Sequence, residues 1–304
     1  MFAGRVRLIL VLLVWLATAA AMVLWLSTGN LVRVVVGGGP GGSETFELTQ
    51  AIAETLNAAD GNFRLDVYET GGTAENLELL LTGQVDVATV QADTAIPEGI
   101  SGLARLYHDA YHLIVAEEST IYGFEDLPGH RVAIPPSTSG QHSSFWFLAD
   151  HYGVPEDAFI ALPMDEAAAN FAMIHGQVDA VFRVRAPGNR VIRELVRDHS
   201  MRLVPVSQAE ALSLRQPAIG VGVIPLGSYR GSPPLPVRDL DTAVLNRLLV
   251  TRDDLAAETA YQITQGLFEL RSDLVARNQL AGLIRPLDSD AESVVPAHPG
   301  ARRY

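Results

Sequence analysis

Gly71-Gly72-Thr73-Ala74-Glu75-Asn76-Leu77-Glu78-Leu79-Leu80-Leu81-Thr82-Gly83-Gln84-Val85-Asp86-Val87-Ala88-Thr89-Val90-Gln91-Ala92-Asp93 reads as a loop, a helix, a turn and a strand in that order. Small residues open the helix, Thr73 is suited to cap it, and Leu77, Leu80 and Leu81 give it one apolar face. Gly83 stops it, and the apolar run Val85–Val90 then delivers a polar Gln91-Ala92-Asp93 tip. The turn recurs: Gly83-Gln84-Val85-Asp86-Val87-Ala88 is echoed by Gly176-Gln177-Val178-Asp179-Ala180-Val181. Two copies of a helix–glycine–strand unit, a domain's width apart, predict two similar α/β lobes with a cleft between them. Asp86 and Asp179 read as organisers of the helix-to-strand turn.

The flanking pattern agrees. Val32–Gly37 reads as a buried strand, Thr45–Asn57 as a helix and Phe63–Val67 as a strand, so the chain opens β-α-β-α-β. That order predicts a mainly parallel sheet covered by helices. Further on, strand Arg131–Ile134 runs into the Ser137-Thr138-Ser139-Gly140 loop and a helix to Tyr152. A strand near Phe159, a helix Asp165–His175 and the strand Asp179–Arg183 complete the second unit. Pro217–Pro236, rich in glycine and proline, reads as irregular return chain before a strand Ala243–Val250 and a helix Leu255–Leu270. The expected divisions are an anchor or uncleaved signal over 1–29, a first part of lobe 1 over 30–117, lobe 2 over 118–206, and a return to lobe 1 over 207–304.

Composition excludes several classes of chemistry. The 304 residues contain no cysteine, which removes disulfides, thiolate metal sites and a cysteine nucleophile. All 22 basic residues are arginine, which removes Schiff-base and phosphate-binding lysines. A formal charge of −13 argues against nucleic acid as a partner. At the N-terminus, Arg5 and Arg7 precede a run from Leu8 to Leu26 broken only by Thr18. At about 1.5 Å per residue that run spans roughly 28 Å, near the thickness of a bilayer core. It predicts a membrane anchor at residues 8–26 with the rest of the chain periplasmic or otherwise extracytoplasmic. A signal peptide cleaved near Ala17-Thr18-Ala19 is the alternative.

Three junctions share a strand, a loop of small polar residues and a helix start: Gly41-Gly42-Ser43-Glu44-Thr45, Gly71-Gly72-Thr73 and Ser137-Thr138-Ser139-Gly140. Free backbone N–H groups and the helix dipole make such places favourable to anions. In open α/β sheets they lie where ligands bind. The candidate ligand-binding residues are therefore Gly42, Ser43, Thr45, Thr73, Ser137, Ser139 and Gly140. Asn76, one turn into a helix, and Gln91, at a strand end, are candidate hydrogen-bonders. Arg183, at the end of a second-lobe strand, is a candidate partner for a carboxylate. No catalytic residue, metal or cofactor is expected: there is no Gly-x-Ser-x-Gly elbow and no His-Glu-x-x-His helix. His108 and His112 border a strand, where four-residue spacing does not place both on one helical face. A hydrolase using Ser139 and His142 remains a minor alternative.

These motifs, with Asp126-Leu127-Pro128-Gly129-His130-Arg131-Val132 and the terminal His298-Pro299-Gly300-Ala301-Arg302-Arg303-Tyr304, give the chain a resemblance to the TAXI family, solute receptors of TRAP transporters. The resemblance implies a two-lobed periplasmic-binding-protein fold with two hinge crossings. It also implies capture of a small organic acid or glutamate-like amino acid by lobe closure, then delivery to a TRAP membrane permease. A sensor that signals to a membrane partner is the alternative use of the same module. Departures from the family pattern are Glu44 in the first loop, Thr45-Phe46 where paired aromatics are usual, and Gln141 where threonine is common. An acidic Glu44 opposes an anionic ligand unless it points away or meets a ligand ammonium.

Overall fold

The computed structural model describes residues 2–27, 31–59, 61–287 and 295–304. In chain order the helices are α1 (Phe2–Ser27), α2 (Glu44–Ala58), α3 (Thr73–Leu81), α4 (Gly140–His151), α5 (Glu166–Ile174), α6 (Arg190–Asp198), α7 (Ala209–Arg215), α8 (Ala257–Glu269), α9 (Arg271–Arg277) and α10 (Pro299–Arg302). The strands are β1 (Val32–Gly39), β2 (Phe63–Glu69), β3 (Val87–Gln91), β4 (Ile100–Ala116), β5 (Arg131–Ile134), β6 (Ile160–Pro163), β7 (Ala180–Arg185), β8 (Met201–Val204), β9 (Ile219–Ile224), β10 (Arg230–Gly231), β11 (Pro234–Leu235) and β12 (Leu240–Arg252). Among the described residues no helix is long and apolar enough to cross a membrane, so the structure does not support the expected anchor. Met1 and residues 28–30 of that segment lie outside the described residues.

One sheet runs through both lobes in the order β2-β1-β3-β12-β4-β7-β5-β6. The β2-β1-β3 and β7-β5-β6 blocks are each parallel, as their helical connections require. Two long antiparallel strands join the blocks. β4 pairs with β12 over Ile100–Ala110, then with β7 over Ala110–Val115. β12 in turn pairs with β9 over Leu240–Leu245 and with β3 over Arg247–Thr251. The chain therefore passes between the lobes twice, once in each long strand.

Each block carries its own core. In the first lobe Leu48, Ile52 and Leu56 of α2 repeat every four residues and bury against Val34, Val36 and Leu65 of the sheet. Ser43 starts α2 by accepting from the Phe46 N–H at 3.3 Å, and Glu44 and Glu47 in the first turn favour the helix dipole. In the second lobe Phe145 sits edge-on to Phe182 and Phe159, with Phe124 and Leu148 around it. These aromatic contacts tie α4 to β7.

Two segments differ from the sequence expectation. Leu113–Ala116, whose apolar run reads by itself as a short strand, is the end of a seventeen-residue strand that begins at Ile100. Nearly all of β4 is buried, so it lacks the alternation of a half-exposed strand, and Arg105 and Asp109 interrupt its apolar run. Within the expected irregular chain Pro217–Pro236, Ile219–Ile224 is strand β9. Its glycines serve close packing, since a Cβ at Gly222 would collide with Val244 of β12.

Candidate functional site

The turn aspartates explain how both lobes present their strand tips. Gly83 and Gly176 take φ of +70° and +65°, the left-handed conformation that ends a helix without steric penalty. Asp86 Oδ2 then accepts from the Val35 N–H at 2.8 Å, fastening the start of β3 to β1. Asp179 Oδ2 accepts from the Arg131 N–H at 2.8 Å, and its Oδ1 from the Arg131 guanidinium at 2.7 Å, fastening β7 to β5. With those starts held, β3 delivers Gln91 and β7 delivers Arg183 and Arg185 to the seam between the lobes.

The seam holds a cleft of about 390 Å³, walled by Pro40–Ser43 and Gly71 of the first lobe and by Pro135, Pro136, Ser139, Gln141, Met164–Ala167, Arg183 and Arg185 of the second. That volume falls in the roughly 300–1,000 Å³ range of small-molecule sites. Beneath it a cavity of about 30 Å³ reaches Thr45, Thr73, Thr89, Gln91, Arg185 and Arg247. It has room for roughly two waters.

The structure brings most of the expected residues together and separates two from the rest. Gly42, at φ +72°, and Ser43 form the first-lobe lip. Thr45 lies deeper, its hydroxyl 2.8 Å from Tyr107 Oη. Thr73 does not cap α3: Gly72 occupies the cap position, and the Thr73 hydroxyl accepts from the Gln91 N–H at 3.1 Å. Gln91 is buried, and its Nε2 has no hydrogen-bond partner. Ser139 caps α4 from the opposite wall, accepting from the Gln141 N–H at 3.3 Å. Gly140 is where the lobes touch, since a Cβ there would stand 2.7 Å from Gln91 Oε1 and 3.3 Å from Thr73 Cβ. Asn76, by contrast, is wholly buried away from the cleft, accepting from Thr70 Oγ1 at 2.7 Å and donating to the Thr89 carbonyl at 2.8 Å. Ser137 is exposed and lines neither cavity.

The cleft floor is ionic, which the sequence marked through Arg183 and, as a departure from the family pattern, Glu44. Arg183 is almost fully buried; it donates to the Phe182 carbonyl at 2.9 Å and lies 3.7 Å from Glu166 Oε1. Burial lowers its pKa to about 10. Arg185 donates to Glu166 Oε2 at 2.5 Å and faces Glu44 Oε2 at 3.6 Å. Burial works against its charge, yet Glu166 and Glu44 outweigh it and raise its pKa above the ordinary value. The carboxylates respond unequally. Burial raises the Glu44 pKa despite Arg185, whereas for Glu166 the two arginines overcome burial and hold the pKa below the ordinary value. Beneath them Arg247 Nη2 donates to the buried Asp109 at 2.6 Å. Arg185, Arg247 and Glu166 had no distinguishing motif, and Gln141 was marked only as a departure from the family pattern; tertiary contacts bring them here.

The hydrolase arrangement is not assembled. His142 Nδ1 meets the Pro135 carbonyl at 2.8 Å and its Nε2 accepts from Trp146 at 3.0 Å, leaving no ring nitrogen for Ser139. His112 is buried against Tyr229 Oη at 2.5 Å, while His108 is exposed. Among the described residues no cluster of three or more potential metal ligands exists.

A model of the NMT1-like family matches residues 36–304. The chain belongs to the NMT1-like family. Solved structures of similar shape include the alkanesulfonate-binding protein SsuA from Xanthomonas axonopodis pv. citri bound to MOPS: 16% identity, 85% of this chain and 88% of that one, TM-score 0.52. XAC2383 from Xanthomonas citri bound to ATP is 13% identical over 89% and 97% of the two chains, at TM-score 0.57. A histidine kinase sensor domain with similarity to periplasmic binding proteins is 18% identical over 83% and 96%, at TM-score 0.52. At such identities the likeness shows the fold, a mixed α/β, two-lobed periplasmic-binding-protein-like one. The TAXI resemblance is narrower than this family match.

Proposed function

We propose that this NMT1-like protein is an extracytoplasmic solute receptor of the TAXI type. It captures a small organic acid or glutamate-like amino acid between its lobes and passes it to a TRAP membrane permease. The observation that carries the reading is the cleft of about 390 Å³ at the seam of two lobes joined by the long strands β4 and β12. Both walls begin helices there, α2 capped by Ser43 and α4 by Ser139, so backbone dipoles converge on the cleft from each lobe. Gln91 adds a buried donor without a partner, which a ligand acceptor would satisfy. The related folds bound to MOPS and to ATP support a binding rather than a catalytic role. The sensor-domain relative supports a second use of the module, as a reporter to a membrane partner.

Trp146 lies on α4 and donates to His142, directly behind the cleft wall. A panel of amino acids, dicarboxylates and keto acids is titrated into the full chain while intrinsic fluorescence and thermal unfolding are followed. Trp146→Phe, which leaves Trp15 and Trp25, should abolish the fluorescence change and so assigns it to Trp146. A saturable change with the compound recovered intact is expected, with about 2.7 kcal/mol of added stability at one hundred times the Kd. Turnover of the compound, or silence across the panel in ligand-free protein, would overturn the reading.

A further inference from the structure

The lobes are also in contact beside the cleft, through a carboxylate that reaches the cleft-lining Arg185. Glu44, the first residue of α2, belongs to the first lobe. Its Oε1 accepts from Asn189 Nδ2 of the second lobe at 2.5 Å, and its Oε2 faces Arg185 Nε of β7 at 3.6 Å. Arg185 is thereby shared between Glu44 and Glu166, and only about an eighth of its side chain is exposed. The floor is charge-balanced as it stands: Arg183, Arg185 and Arg247 are met by Glu166, Glu44 and Asp109. Asp165 at the rim adds a further carboxylate. An anionic solute entering this floor finds every guanidinium already facing an acidic side chain, and a like charge close by opposes it.

We propose that Glu44 is a built-in competitor for the solute's anionic group, latching the lobes through Arg185 and Asn189 and yielding them when an acid of sufficient affinity arrives. This rests on the receptor reading and deepens it, since Glu44 sets which acids are admitted. A weakly binding monocarboxylate exchanges one carboxylate for another and gains nothing at Arg185. A solute must offer further hydrogen bonds, to Gln91, Ser43 or Ser139, to displace Glu44. The acidic residue that departs from the family pattern thus becomes a specificity determinant.

The test compares the unliganded full chain with its Glu44→Gln and Glu44→Ala variants by small-angle scattering, in one detergent and with folding checked by circular dichroism. The expected result is a larger radius of gyration in both variants, greater in Glu44→Ala, because a glutamine still accepts from Asn189. An unchanged radius in folded variants would overturn the latch. Glu44→Asp, too short to reach Arg185 but still charged, is expected to open like Glu44→Ala; if it stays as compact as the native chain, charge without contact suffices and the proposal fails. In a second arm acetate, succinate and L-glutamate are titrated by calorimetry, and apparent affinity for those that bind is expected to rise at least fivefold in Glu44→Gln. A fall would overturn the competition. Scattering needs no ligand, so failure of the latch and failure of the receptor reading are distinguishable.

Discussion

In the first lobe Gly83 ends α3 and Asp86 ties the next strand to the Val35 N–H; in the second, Gly176 ends α5 and Asp179 ties the next strand to the Arg131 N–H. From these matched turns the lobes diverge. β3 carries the neutral amide of Gln91 to the seam, whereas β7 carries two guanidinium groups. The helix before each strand differs as well, since α3 turns Asn76 inward to hold its own sheet, while α5 sets Glu166 beside Arg185. A repeated turn specifies where a strand starts and how it is held. It does not specify what the strand carries to the other end, so a duplicated scaffold can present unlike walls to one ligand.

Four measurements test this division between scaffold and site. Asn76→Ala should have the largest effect on stability, a loss of about 3 kcal/mol, because it strands the buried Thr70 hydroxyl and the Thr89 carbonyl. Denaturant unfolding checks this, and folded variant should keep its ligand response; a binding defect at native stability would move Asn76 into the site. Next, Asp179→Ala should cost about 2 kcal/mol and Asp86→Ala about 1, since Asp179 holds both the backbone and the side chain of Arg131. A reversed order would break the account of the two turns.

Acid titration of stability separates two further carboxyls. The Arg131 hydrogen bond holds the Asp179 pKa below its ordinary value of 3.8, so its stabilisation is full above that pH and fades as pH falls through the lowered value. Asp93, at the first-lobe strand tip, has the opposite sign. Burial raises its pKa, with Ser144 Oγ 2.5 Å away on α4 of the second lobe only partly offsetting this. Its stabilisation is therefore full below the ordinary value and is lost as pH rises through the raised one. Asp179→Asn should flatten the acid limb and Asp93→Asn should flatten the loss on raising pH; the same slope change in both would contradict these environments. Smallest in stability is Gln91→Ala, because its donor has no partner to lose. Its ligand affinity should nevertheless fall about tenfold, or 1.4 kcal/mol, by calorimetry.

Much of this was legible in the amino-acid order because the signals were local. Alternating helices and strands, left-handed glycines and the Gly-Gln-Val-Asp turns act within a few residues of themselves, and they set the two α/β units and their turn aspartates. Small-residue loops likewise marked Ser43, Thr73, Ser139 and Gly140 as neighbours of a cleft. Other features depended on contacts far apart in the chain. β4 hides its length because both faces are covered, and β9 hides in a glycine-rich stretch whose glycines accommodate Val244. Asn76 and Gln91 look alike in sequence, yet one is consumed by Thr70 and Thr89 while the other keeps a free donor. Glu44 and Arg185 are separated by more than a lobe of sequence, and nothing near either announces the other. Local order thus determined the elements and their turns, because backbone geometry is decided over a few residues. Only the tertiary structure decided which charges meet at the seam, because sheet register and lobe contact set those distances.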